Sequence, residues 1–141
     1  MRNSLLSIVT SSVLLSATPI VSGGEPAAAS ERVYFATASG VFVWSSDSET
    51  VGIVSAFPSY EIELSPDGVV YVGNGGADSQ ASGIATTGIF FIDAQGNAVL
   101  CCDMPADDLE FDEDGNLYAS NSDGLFRIEC GSPAIQVSTN P

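Results

Sequence analysis

The chain contains no histidine and no lysine; Arg2, Arg32 and Arg127 are its only basic side chains, against 18 Asp and Glu. Each absence removes a chemistry. Without imidazole there is no Ser-His-Asp triad, no histidine base and no ordinary zinc site. Without lysine there is no phosphate loop of the Walker type and no Schiff base. A net charge of −15 over 141 residues cannot neutralise phosphates, which excludes nucleic acid and anionic bilayers as partners. Cysteine is scarce as well, with Cys101, Cys102 and Cys130 alone. No segment after the N-terminus carries the apolar period of a long amphipathic helix. Carboxylates, amides, hydroxyls and three thiols are what remains.

The N-terminus has the parts of a secretory signal peptide. Met1-Arg2-Asn3 is a short positive start, and residues 5–21 are an apolar run softened by Ser and Thr. Val21-Ser22-Gly23 and Ala27-Ala28-Ala29 both satisfy the small-residue cleavage rule. The run is too short and too hydroxyl-rich for a span of about 20 apolar residues. Residues 1–30 are therefore expected to be a leader, and 31–141 a single small domain that is secreted or periplasmic, with no membrane span. Cleavage after Gly23 would remove Arg2 and leave two Arg against 18 acids, a net charge of −16. In an oxidising compartment Cys130 is expected to pair with Cys101 or Cys102, because adjacent cysteines rarely join, and one thiol is left over.

What is present is a repeat. The third copy reads DDLEFDEDGNLYASNSDGLFRIE from Asp107 to Glu129. The second reads YEIELSPDGVVYVGN from Tyr60 to Asn74, then, after an insertion at 75–87, GIFFID from Gly88 to Asp93. The first, VYFATASGVFVW from Val33 to Trp44, is partial. Tyr34, Tyr71 and Tyr118 hold one position, and Phe42, Phe90 and Phe126 another. Short β-rich runs are expected at 33–37, 41–44 and 51–54, at 62–64, 69–73, 89–92 and 98–101, and at 109–111, 117–120, 125–128 and 135–137. Asp67-Gly68 and Asp114-Gly115 mark hairpin turns, since glycine supplies positive φ. Each unit is then a four-stranded antiparallel meander, copy one lacking its first strand. Self-similarity of this length means one unit stacked on itself. A two-sheet sandwich is the alternative.

The pattern L-x-F-D-E-D-G-N-L-Y-A-S-N…G-L-F-R-I resembles the blades of the NHL and gluconolactonase (regucalcin)-like β-propellers, over about residues 33–137. The resemblance implies an all-β fold of antiparallel four-stranded blade repeats, part of a six-bladed type of propeller. In the lactonase branch it also implies a divalent cation, usually Ca2+, in a central tunnel. Carried over residue by residue, its ligands fall on Asp107, Asn121 and Asn74, while Tyr60 stands where Asp107 has its counterpart in copy two. The catalytic aspartate of a lactonase has no assignable match. Propellers close with about four to eight blades, and this chain has under three. Three explanations stand: a truncated piece of a longer protein, a homodimer completing the ring, or another compact β arrangement.

Seven carboxylates, Asp103, Asp107, Asp108, Glu110, Asp112, Glu113 and Asp114, fall within twelve residues. They are either a solvated acidic turn or a weak Ca2+ site, since hard oxygen ligands suit that ion. Asp112-x-Asp114-x-Asn116 begins like an EF-hand loop, but Leu117 occupies the place of its glycine. The expected function is an exported module that binds a ligand or partner and lacks a complete active site. The alternatives are a Ca2+-dependent hydrolase of sugar lactones, complete only as an oligomer or in a longer chain, and an acidic cell-surface interaction protein.

Overall fold

The structure is a computed structural model and describes residues 31–76, 80 and 83–139. The signal peptide expected at 1–30 lies outside the described residues, as does part of the 75–87 insertion. Eleven strands follow one another: β1 Arg32–Thr37, β2 Gly40–Ser45, β3 Thr50–Ser55, β4 Glu61–Leu64, β5 Val70–Asn74, β6 Gly88–Ile92, β7 Ala98–Cys102, β8 Asp108–Phe111, β9 Leu117–Asn121, β10 Gly124–Ile128 and β11 Ile135–Thr139. They form three antiparallel meanders, ordered β1-β2-β3, β4-β5-β6-β7 and β8-β9-β10-β11, called here sheets one, two and three. No helix among the described residues is long and apolar enough to cross a membrane.

The repeat is exact in register at the positions that matter for packing. Tyr34, Tyr71 and Tyr118 lie opposite Val43, Phe91 and Arg127 respectively. Phe42, Phe90 and Phe126 each follow a register shift at the same place, between Val41 and Phe42, Ile89 and Phe90, and Leu125 and Phe126. Successive strand residues face opposite sides of a sheet, so in each copy the Tyr points one way and the Phe the other. The sheets stack through these faces. One apolar layer joins sheets one and two through Ala36, Val41, Ile62, Val70, Val72 and Ile92, with Tyr34 and Phe90 against it. The second joins sheets two and three through Ile89, Leu109, Leu117, Ala119 and Ile128, with Tyr71 and Phe126 against it. Sheet two is thus covered on both sides, and sheets one and three on one side each.

Backbone bonds repeat between the sheets too. The Ser59 N–H donates to the Thr37 carbonyl (3.1 Å), and the Ala106 N–H to the Asn74 carbonyl (3.3 Å). Each ties the segment entering one sheet to the end of a strand in the sheet before it. A disulfide, Cys101–Cys130, adds a covalent tie from β7 to the turn after β10, and the Gly131 N–H donates to the Cys101 carbonyl at 3.0 Å. Of the two pairings the sequence left open, the structure takes Cys101; Cys102 is a buried free thiol.

The register shifts depend on glycine. Gly40, Gly88 and Gly124 open β2, β6 and β10 with φ of 138°, 131° and 141°. A Cβ on Gly40 or Gly124 would overlap the carbonyl oxygen of Ser55 or Ser138, and one on Gly88 would lie 3.2 Å from that of Cys102. The last strand of each sheet passes so close that only a residue without a side chain fits.

Gly124→Ala should lower stability in urea unfolding by more than about 1 kcal/mol, because alanine at positive φ is strained even before the overlap; an unchanged midpoint would remove the glycine argument. Opening the disulfide with Cys130→Ser should lower stability by roughly 3–4 kcal/mol on the chain-entropy estimate for a sequence separation of 29 residues. Unfolding curves that are the same with and without reductant would contradict the pairing.

Candidate functional site

The three residues assigned to a cation meet around one loop, 105–107, but their bonding is structural. Asn74 is fully buried; its Oδ1 accepts from the Tyr60 N–H at 2.9 Å and its Nδ2 donates to the Pro58 carbonyl at 2.8 Å. Asn121 does the corresponding work one sheet later. Its Nδ2 donates to the Pro105 carbonyl at 3.0 Å, and its Oδ1 accepts from the Asp123 N–H at 2.8 Å. Each amide braces the segment that leads into the first strand of its own sheet. Asp107 donates its backbone N–H to the Ser120 carbonyl at 2.8 Å, and its carboxylate lies against Gly76, in the space a Cβ there would need. Among the described residues no group of three or more Cys, Asp or Glu is close enough to hold a metal ion.

The acidic run from Asp103 to Asp114 is divided among separate tasks. Asp112 closes its own turn: Oδ1 accepts from the N–H groups of Asp114 (3.0 Å) and Asn116 (2.8 Å), and Oδ2 from the Asn116 amide at 2.8 Å. Asp93 builds the same turn between β6 and β7 with Gln95 and Asn97. The Asn side chain, then its backbone N–H, holds each carboxyl below the usual range. Their stabilisation is present above about pH 3.9 and is lost as pH falls through the lowered values. Asp-x-x-Gly-Asn is therefore a turn signature here.

The carboxylates that do interact across sheets include one outside that run. Glu63 on β4 and Glu110 on β8 hold the same repeat position, and β4 packs against β8. Burial pushes the Glu63 carboxyl above its ordinary value, and the charges of Glu110 and, less strongly, Asp108 push the same way, against one backbone bond from Leu64. The signal was legible in the pairs E-I-E-L and D-L-E-F, whose second acids align.

Two other features were less visible. The Cys102 thiol lines a cavity of about 480 Å³ with Asp103, Met104, Pro105, Asn121 and Phe126. Burial pushes the thiol pKa up, which keeps it protonated and a poor nucleophile. The described part of the insertion is tied down by buried Ile84 and by Gln80, whose Nε2 donates to the Gly75 carbonyl at 2.8 Å.

The largest chemical anomaly is the outer face of sheet one. Val33 lies opposite Trp44 and Phe35 opposite Phe42 on β1 and β2. Val51 and Ile53 continue the same face onto β3, opposite Trp44 and Phe42. The Phe35 and Phe42 rings stack at 5.5 Å. The equivalent positions are buried in sheet two (Val70, Val72, Ile92) and sheet three (Leu117, Ala119, Ile128). On sheet one they are half-exposed, and Val51 and Ile53 are 57% and 65% exposed. Contiguous apolar surface of this kind marks interaction sites.

The raised Glu63 pKa gives a signed prediction. The folded chain binds that proton more tightly than the unfolded one, so the stability linked to it is full below about pH 4.3 and falls as pH rises through the raised value. Glu63→Gln should melt higher than the parent at pH 7, and the gap should close toward pH 4. A variant that melts lower at pH 7 would contradict the electrostatic reading.

No family model, curated protein or solved structure matches the chain, so its functional reading rests on its own residues.

Proposed function

We propose that the chain is an exported β-propeller-type module of the NHL and gluconolactonase-like kind, three blades of an incomplete ring, and that it works by binding a partner. The observation that carries this reading is the apolar face of sheet one, which no described residue covers. A sheet face bearing Val33, Phe35, Phe42, Trp44, Val51 and Ile53 gains free energy on being covered, at about 25 cal/mol per Å² of apolar area. The stacked four-stranded repeats support the blade reading, and the leader-like N-terminus together with the Cys101–Cys130 disulfide supports export, because disulfides persist in oxidising compartments. A chain with no histidine and no lysine offers few general bases near neutral pH, which favours binding over turnover. The commitment of Asn74 and Asn121 to backbone bonds weighs against the lactonase alternative.

Photo-crosslinking tests the reading. A photoreactive residue at position 53 should capture a partner in the extracellular fraction of the source cells, and one at position 113, on the exposed turn after β8, should not. No adduct from position 53, combined with sugar-lactone turnover that a chelator abolishes, would replace this reading with the calcium-dependent hydrolase.

A further inference from the structure

We infer that the sheet-one face is covered by the sheet-three face of a second copy, so that two chains close head to tail into a six-sheet ring. This rests on the partner-binding reading above and names the partner. The chain itself shows twice what such a face accepts. Val70, Val72 and Ile92 on sheet two pack against the side of sheet one that carries Tyr34, Ala36 and Val41. Leu117, Ala119 and Ile128 on sheet three pack against the side of sheet two that carries Tyr71, Ile89 and Phe91. One half of each kind is left over. Val33, Phe35 and Trp44 are the unmet receiving side on sheet one, and Tyr118 and Leu125 are the unmet Tyr-bearing side on sheet three. Exposure marks the vacancy: Val41 and Ile89 are 0% exposed, whereas Leu125, at the same repeat position, is 37% exposed.

Sheet three departs from the pattern in a direction that suits this contact. Arg127 stands opposite Tyr118 where Val43 and Phe91 stand opposite Tyr34 and Tyr71. The face it would meet is rich in aromatic rings and carries no carboxylate, and a guanidinium over an aromatic ring is favourable. Asp108 and Glu110, on the same side as Arg127, would therefore meet no like charge there, although the chain as a whole is strongly acidic. A head-to-tail contact made twice about a two-fold axis closes on itself, and six sheets lie within the range in which blade rings close. Pairing of two sheet-one faces would leave Tyr118 and Leu125 unused.

Sedimentation equilibrium of the purified chain over a concentration series decides this. Twice the chain mass is expected at high concentration, with dissociation on dilution. Ile53→Glu and Leu125→Glu, on opposite ends of the stack, should each weaken the dimer at least tenfold while keeping the β-sheet circular dichroism of the parent. Val51→Glu replaces Ile53→Glu if that variant loses the signal. A single-chain mass at every concentration overturns the second copy as partner. In that case a different protein captured from position 53 would leave the partner-binding reading standing. A dimer weakened by Ile53→Glu and untouched by Leu125→Glu overturns the head-to-tail arrangement in favour of sheet-one self-pairing. Masses that keep rising beyond two chains overturn closure.

Discussion

A β-sheet with apolar side chains on both faces has to be covered twice, and that requirement organises this molecule. Each repeat supplies one face that carries the Tyr and one that carries the Phe. Stacking the Tyr face of one sheet on the Phe face of the next buries both layers of the core. The arrangement is directional, so a row of three sheets satisfies two contacts and leaves one face of each kind at its ends. Sheet three turns Asp108, Glu110, Ser120, Leu125 and Arg127 outward, and sheet one turns Val33, Phe35, Trp44 and Ile53 outward.

The stacking is made reproducible by parts that carry no apolar surface. Gly40, Gly88 and Gly124 let the last strand of each sheet pass close to the one before it. Asn74 and Asn121 each reach back 16 residues to hold the carbonyl of Pro58 or Pro105. Asp93 and Asp112 close the turns before the last and second strands of their sheets. Burying a polar group without a partner costs free energy, and no buried side-chain nitrogen or oxygen among the described residues lacks one. The amides and carboxylates at conspicuous repeat positions are thus part of the frame.

This is also why the strands were legible in the sequence and the cation site was not. All eleven expected strands are present within a residue or two of the expected bounds, because glycine, aromatic residues and Asp-Gly turns recur at fixed spacing and each has a local steric cause. The three-strand first sheet was legible for the same reason: nothing ahead of Val33 has the acid–apolar alternation of E-I-E-L or D-L-E-F. Asp107, Asn74 and Asn121 were placed from a resemblance, and the carbonyls that the two Asn amides hold lie on segments 16 residues away, which no local pattern reveals. The choice of Cys101 over Cys102 depends likewise on which side of β7 meets the turn after β10. The acidic run looked like a cluster because spacing along the chain is not spacing in space. Asp112 turns inward to its own loop, while Glu63, far away in sequence, is a carboxylate on which the Glu110 charge acts.

Trp44 is the only tryptophan in the chain, and it lies on the sheet-one face, so its fluorescence reports on whether that face, which no described residue covers, is open in solution. The most direct measurement is its emission and acrylamide quenching in the Ile53→Glu chain, where contact with another copy is suppressed. The expected result is the red-shifted, readily quenched emission of a partly solvated indole, and a blue shift when the parent chain is concentrated. A blue-shifted, quencher-resistant Trp44 in the dilute Ile53→Glu chain would contradict the account, because part of the chain itself would then be covering the face.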